Sequence, residues 1–471
     1  MSLTIQPGSR SGFVRVPSSK SQLHRLLILA AFGTRTVRIE RTGFSDDVSA
    51  TAACLNALGA HVTETEEGFS VEPFPRDAEG RLIRTETGSW TLLSCAESGA
   101  TLRFMIPLAG LFGRSVALER NGRLAERPIE PLADVLRAHG MEIREDGPRL
   151  FVSGKLTGGV FALPGNISSQ FVTALLLTLP FLEGDSVLRV GAPVESSSYI
   201  ALTEQMLGKA GIAFEKADLA HQVPREQAPA RALTRAVSED EPAGGAPAAQ
   251  PGSSPSGPAL ALVWDPLYWI PGGQTAALPE QYKAEGDFSA AAVFLCIGAL
   301  SAKGMGVFGL QADTVQGDQS ILDFLHAMGA EMGANPDVVA IRGNQLKGIT
   351  VDAAQVPDLV PVLAVTAAAA QGDTIIQNAR RLRLKESDRL ESTAALIRAL
   401  GGSCEIAEGT LIVHGGQLHG GQVSAGKDHR IAMAAAVAAC AADGPVTLDE
   451  PECVSKSYAA FWRDFGALQT E

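Results

Sequence analysis

The sequence predicts an α/β repeat fold, and three patterns carry that prediction. A helical pattern that closes on glycine and runs into a strand-like stretch recurs along the chain. A polar, cap-forming start precedes an apolar helical pattern within each interval. Short runs of strand formers separate the helices.

The glycine-closed pattern occurs at 55–62, 136–143, 206–214, 325–332 and 397–402, and a shortened copy at 461–466 lies near the chain end. Its glycines, Gly59, Gly140, Gly211, Gly329, Gly401 and Gly466, fit the left-handed position that ends a helix without a Cβ clash. They recur at intervals of 65–81 residues, with one of 118, which implies six copies of one unit. The long interval contains 216–258, rich in Ala, Pro, Gly and Ser. It reads as a low-complexity insertion forming a disordered surface loop, with an interdomain linker as the alternative.

The helix starts come in chain order. Ser18-Ser19-Lys20-Ser21 leads into Leu23, Leu26 and Leu27. Glu97-Ser98-Gly99 leads into Leu102, Met105 and Ile106, and Ser168-Ser169-Gln170 into Phe171, Ala174 and Leu175. Asp287-Phe288-Ser289, Pro357-Asp358 and Asp428-His429-Arg430 precede the corresponding apolar runs of the second half. Capping explains any one of them. Six together offer six sets of free N–H groups at positive helix ends, which suits phosphate and carboxylate. Strands are expected at 14–16, 37–39, 115–118, 186–190, 374–376 and 446–448.

A chain of 471 residues is too long for one core, and 45% hydrophobic residues suffice for two or more domains. The net charge of −13 argues against general nucleic-acid binding but leaves local basic clusters free to take small anions. Six scattered cysteines without a C-x-x-C read as reduced thiols of a cytoplasmic protein. The eight histidines show no zinc-ligand spacing, and His414 and His419 read as surface residues. Met1 to Arg10 has no apolar signal region, and no apolar run has membrane-spanning length; 432–442 reads as a buried helix.

The stretch 382–389 has five charged residues in eight, in a chain where charged residues make up 19%. It reads either as a solvated turn or helix start, or as a site for an anion. Lys20, Arg25, Arg103, Arg127, Arg383, Lys385, Arg389, Arg430 and Lys456 form the basic set, with Arg127 before a proline suited to a first helical position. Taken singly, each suits a surface ion pair. If the helix starts of both halves face one another, they line a cleft for a dianionic or trianionic ligand. Asp358 and Glu386 would then be the acids beside it, and a carboxylate among cations stays ionised and able to act as a base.

In order along the chain, Pro17-Ser18-Ser19-Lys20-Ser21 with Arg25, Glu126-Arg127-Pro128-Ile129, Ser168-Ser169-Gln170, Glu285-Gly286-Asp287-Phe288-Ser289, Arg383-Leu384-Lys385-Glu386-Ser387-Asp388-Arg389, Asp428-His429-Arg430-Ile431-Ala432-Met433 and Lys456 resemble the enolpyruvyl transferase family. The resemblance is to the 3-phosphoshikimate 1-carboxyvinyltransferases, or 5-enolpyruvylshikimate-3-phosphate synthases, and covers nearly all the chain outside 216–258. It implies two domains, each of three βαβαββ units in an inside-out α/β barrel, with a cleft between them. One would run over 20–284, and the other would combine 1–19 with 285–471.

The resemblance also implies transfer of the enolpyruvyl group of phosphoenolpyruvate to the 5-hydroxyl of shikimate 3-phosphate, in the shikimate pathway to chorismate and aromatic amino acids. It implies no cofactor or metal, no nucleic-acid or membrane partner, and a cytoplasmic monomer. By the same resemblance Ser21 and Arg25 hold the shikimate carboxylate; Ser168, Ser169 and Ser196 take the 3-phosphate, with Tyr199 and Gln170 alongside; and Asp358 and Lys385 contact ring hydroxyls. Lys20, Gly99, Arg127 and Lys456 cradle the phosphoenolpyruvate phosphate, while Arg389 and Arg430 clamp its carboxylate. Asp358 is the base, Glu386 the acid, and Lys20 the rival for proton transfer.

The chain departs from the family pattern at Glu97 and Arg381, where Asn is common, and at Ala100 and Phe104, where Thr and Pro are common. Gly99 lacks the methyl that blocks glyphosate in tolerant members, so sensitivity is expected. The rival readings are a UDP-N-acetylglucosamine enolpyruvyltransferase, whose loop cysteine is missing from 121–126, and an inactive scaffold.

Overall fold

The computed structural model describes residues 2–83, 89–224, 260–335, 337–343 and 345–470. Among the described residues, six separate sheets surround two bundles of buried helices, and no sheet closes into a barrel. One unit shows the pattern in full. Strand Thr91–Ser94, helix Gly99–Phe112, strand Val116–Glu119, helix Leu132–Ala138 and the hairpin Met141–Asp146/Arg149–Gly154 follow in sequence. The first two strands pair in parallel across the buried helix, the second pairs antiparallel with the last, and the hairpin closes the edge. The sheet order is therefore first, second, fourth, third, and it recurs in three other sheets; a fourth keeps the arrangement with a non-local strand in first place.

Burial explains why the helices lie inside. Helix Phe288–Ala299 is buried at every position, and Lys20–Ala31, Gly99–Phe112 and His429–Ala441 are buried nearly throughout. The strands alternate instead: in Gly159–Pro164, Phe161 and Leu163 point inward while Val160 is 69% exposed. The buried apolar residues form two clusters. One gathers Leu23 to Ala284 and the other Ile5, Val14 and Val16 with Phe288 to Leu468.

Non-local strands complete three sheets. Gln281–Lys283 pairs in parallel with Val37–Glu40, and Arg10–Arg15 pairs in parallel with Met305–Phe308. Ser2–Ile5 pairs with Val446–Asp449, taking the place that a fourth strand holds in the other units. The chain therefore crosses between clusters twice, and the two crossings touch. Ser18 bridges to Gly286, Ser19 N–H donates to Glu285 C=O at 2.7 Å, and Asp287 N–H donates to Pro17 C=O at 2.9 Å. The buried Gln22 side chain braces this crossing, its Nε2 donating to Glu285 Oε1 at 2.7 Å and its Oε1 accepting from the Glu285 N–H at 2.9 Å.

Gly59, Gly140, Gly211, Gly329 and Gly401 have the expected positive φ, from 68° to 103°. Gly466 does not. It closes helix Phe461–Gly466, and the cap after it, Ala467, stays right-handed at φ −78°. Pro128 is not a first helical residue either: Arg127 caps the short 3-10 turn Gly122–Glu126, and the next helix begins at Leu132. The expected insertion begins later than 216, because Glu215–Pro224 is a strand paired with Leu260–Ile270. Residues 225–259, which hold the rest of it, lie outside the described residues. No helix among the described residues is long and apolar enough to cross a membrane.

Candidate active site

The helix starts of both halves converge on one cleft. Its walls include Lys20, Ser21, Arg25, Gly99, Arg127, Ser168, Ser169, Gln170, Ser196 and Tyr199 from the first cluster. Facing them are Asp358, Lys385, Glu386 and Arg389 from the second. Of the residues that the sequence assigns to ligands or to proton transfer, only Arg430 and Lys456 do not line it. Arg430 lies beneath it, 3.8 Å from Asp358, with its guanidinium donating to Ser289 C=O at 2.8 Å. Lys456 opens on the neighbouring pocket that shares Asp47 with the cleft, and it pairs with Glu97 at 3.0 Å.

Local structure explains how the wall residues are aimed. Ser19, Ser98, Ser168, Asp287 and Asp428 each accept an N–H as helix caps, which leaves the residue after each cap at the cleft end of its helix. Asp358 is different. Its helix starts at Val360 with Leu359 as cap, so its carboxylate is free for other partners. Gly99 is closely crowded: a Cβ there would come within 2.6 Å of the Arg127 guanidinium and 2.8 Å of that of Arg103, so both would have to move. Ser196 adopts φ 53°, a strained value for a serine, and its N–H donates across the cleft to Ala354 C=O at 3.0 Å.

At one end of the cleft are the hydroxyls of Ser168, Ser169 and Ser196. Arg381 reaches across to this end, donating to Ser196 Oγ and pairing with Glu195 at 3.1 Å. Arg25 is buried, and protein oxygens take four of its donors: Thr203 Oγ1, Ser21 C=O, Thr173 Oγ1 and Tyr199 C=O. One N–H of its five is left to face a ligand. Burial lowers the Arg25 pKa to about 9.

At the other end, Arg389 is the hub. It contacts Asp358 at 2.8 Å, Glu386 at 2.6 Å and Asp428 at 3.0 Å, and is 1% exposed. Glu386 also takes Arg127 at 3.1 Å, and Lys20 pairs with Asp47 at 2.8 Å. Burial alone would raise the Asp358 carboxyl, but Lys385, Arg389 and Arg430 outweigh it and hold it well below the usual carboxylate range. For Glu386, burial is likewise overcome, by Arg127, Arg389 and Lys456. Burial lowers the Lys385 ammonium, against the pull of Asp358. The site therefore holds two ionised carboxylates amid cations: one is poised to take a proton, and the other can act as an acid only after its cations find other partners and it has itself taken up a proton.

Sequence reasoning missed three residues here. His24 lines the cleft, with Nδ1 on Thr51 Oγ1 at 2.7 Å and no partner for Nε2 among the described residues; burial and then Lys20 and Arg25 keep it neutral. Its only signal is a polar residue inside an apolar helical run. Asp47, the partner of Lys20, comes soon after the capping Ser45 at another helix start. Asp318 sits behind the cleft in a 3-10 turn and has no pattern of its own.

This α/β fold is shared with solved enolpyruvyl transferases. The enolpyruvyl transferase NikO from Streptomyces tendae superposes with a TM-score of 0.68 at 20% identity, covering 100% of this chain and 98% of its own. EPSP synthase from Acinetobacter baumannii superposes with a TM-score of 0.72 at 21% identity, covering 100% and 99%. The family model for EPSP synthase (3-phosphoshikimate 1-carboxyvinyltransferase) matches residues 5–237 and 265–465. The chain is 34% identical to the 3-phosphoshikimate 1-carboxyvinyltransferase of Clostridium kluyveri, over 100% of this chain and 97% of that protein. It is 35% identical to that of Clostridium acetobutylicum, over 98% and 96%. The chain belongs to the EPSP synthase family.

Proposed function

We propose that this protein transfers the enolpyruvyl group of phosphoenolpyruvate to the 5-hydroxyl of shikimate 3-phosphate, releasing phosphate. The observation that carries the reading is the polarity of the cleft. Serine hydroxyls with one reaching arginine lie at one end and a cluster of arginines and lysines at the other, with the ionised Asp358 held in that cluster by Arg389 and Lys385. A phosphorylated hydroxy acid suits the first end and a small dianion the second.

In this reading Ser168, Ser169 and Ser196 take the 3-phosphate, with Tyr199 alongside. Ser21 and the spare N–H of Arg25 take the ring carboxylate, and Gln170 lies alongside. Lys20, Gly99 N–H, Arg127 and Lys456 receive the phosphate of phosphoenolpyruvate, and Arg389 and Arg430 its carboxylate. Asp358 removes the hydroxyl proton as the new C–O bond forms, and Lys385 steadies the ring hydroxyls. Glu386 protonates the methylene carbon. To do so Glu386 first takes a proton from solvent, which becomes favourable once incoming anions neutralise Arg127 and Arg389, the cations that hold it ionised. Lys20 would contact both ligands. The two hydrophobic clusters are read as domains over 20–284 and 1–19 plus 285–471. The touching crossings at 17–19 and 285–287 make the hinge. A monomer working in the cytoplasm fits this reading.

Phosphate release from phosphoenolpyruvate tests it, with shikimate 3-phosphate or UDP-N-acetylglucosamine as acceptor. Release with the shikimate ester alone is expected. Release with the sugar nucleotide alone would overturn the acceptor, and release with neither would overturn the reaction.

A further inference from the structure

Behind the cleft lies a buried carboxyl that the proposed mechanism leaves unused. Asp318 is 3% exposed, and its Oδ1 has no partner among the described residues. Its Oδ2 accepts from Ser289 Oγ and lies 3.4 Å from the Tyr199 hydroxyl. That hydroxyl also lies 3.5 Å from Asp358 Oδ2. These contacts are long for O–H···O bonds, but a shift of about half an ångström would let the phenol donate to either carboxylate. We infer that Asp318 is the proton reservoir of the reaction, reached from Asp358 through Tyr199.

The inference rests on Asp358 being the base. The acceptor hydroxyl proton passes to Asp358 as the C–O bond forms. Asp358 then gives that proton to the Tyr199 oxygen, while Tyr199 gives its own proton to Asp318. One proton moves and no electron is gained or lost. The reverse path returns it when phosphate leaves, and it departs on the product phosphate or to water.

The surroundings supply the direction. A proton on Asp358 sits among Lys385, Arg389 and Arg430, which favour the ionised form. Asp318 faces Asp358, Asp287 and Tyr199, with Arg430 as the facing cation. Burial first, and then the Asp358 charge, push its carboxyl up to about 6. Burial, Asp318 and Asp358 push the Tyr199 phenol well up, so it passes protons while staying neutral. At pH above 6, Asp318 is ionised and ready to receive.

The test is kcat against pH, at saturating substrates, for the wild type, Asp318→Asn, Tyr199→Phe and the double variant. Binding of shikimate 3-phosphate is followed in parallel by calorimetry. The wild type is expected to lose kcat as pH falls through about 6. Asp318→Asn should lower kcat by about tenfold or more at neutral pH, lose that acid limb, and leave shikimate 3-phosphate affinity within about twofold. Tyr199→Phe should also lose the limb, and the double variant should fall no further than the lower single one.

Wild-type kcat, or a retained acid limb, in either single variant would overturn the inference. So would a loss confined to KM, which is what a merely structural Asp318 would give. If Asp318→Asn fails to fold, Tyr199→Phe still decides. A wild type that releases no phosphate would instead remove the transferase reading, and the inference with it.

Discussion

Arg127 and Glu386 meet across the cleft at 3.1 Å, and the same carboxylate holds Arg389 at 2.6 Å. Glu386 thus occupies two cations that the proposed reaction assigns to phosphoenolpyruvate, whose methylene carbon it would protonate. Replacing it by Gln removes the proton donor and also a competitor for both arginines. Glu386→Gln should lower kcat by roughly 10²–10⁴-fold, while KM for phosphoenolpyruvate stays level or falls. Steady-state kinetics check this; a raised KM with intact kcat would make Glu386 only a cross-cleft latch.

Gly99 gives a second prediction. An alanine there must push aside the Arg127 and Arg103 guanidiniums, which lie 2.6 and 2.8 Å from the position of its Cβ. Both are ends of flexible side chains, so the protein should still fold. To reach an ordinary 3.4 Å contact the guanidiniums of the phosphate cradle would shift by about 0.6–0.8 Å, enough to weaken a charge-assisted contact worth about 1.5–3 kcal/mol. The wild type should be inhibited by glyphosate in competition with phosphoenolpyruvate. In Gly99→Ala the inhibition constant should rise by more than KM does. No inhibition of the wild type at millimolar levels, or equal rises in the variant, would refute this.

The helix starts of this cleft were legible because capping is local. Ser19, Ser98, Ser168, Asp287 and Asp428 are each recognisable from the residues of the first helical turn after them. The sheets were legible only in part. Nothing near residues 281–283 indicates a partner at 37–40, because such pairing is decided by how the whole unit closes. The charged stretch at 382–389 turned out to fit both of its readings. Arg383 faces outward to Asp388 and Glu391, while Lys385, Glu386 and Arg389 face the cleft. The change from a 3-10 turn to a helix within eight residues produces that split, and no single period describes it. Asp318 was invisible for a plainer reason: one acid in a short turn has no pattern until its neighbours from three other elements are assembled.

Arg381 reaches from the second half to Ser196 and Glu195 of the first, where Asn is common in the family. An arginine at this end adds a charge that the serine hydroxyls lack. Arg381→Asn should raise KM for shikimate 3-phosphate by roughly tenfold, the worth of one charge-assisted hydrogen bond, with kcat nearly unchanged. An unchanged KM would mean that Glu195 consumes the charge and that Arg381 serves closure alone.

Stability should depend on pH in opposite senses at neighbouring carboxyls. Asp358 and Glu386 have folded-state values held well below normal. Their contribution is therefore present above the unfolded carboxylate range, near pH 4, and is lost as pH falls through the folded values. Asp318 is raised to about 6 by burial and by Asp358, so its ionisation opposes folding. That penalty is full above pH 6, shrinks as pH falls from 6 toward 4, and is gone below the unfolded value. Asparagine removes the charge and keeps an oxygen for Ser289 Oγ. Asp318→Asn should therefore be more stable than the wild type at pH 8, by on the order of 1–3 kcal/mol or a few degrees of melting temperature. The two proteins should melt together near pH 4. Thermal melts at both pH values decide it. A variant less stable at pH 8 would mean that the Asp318 charge, set against Arg430, is holding the second bundle together, and that the carboxyl is kept for structure and not for its proton.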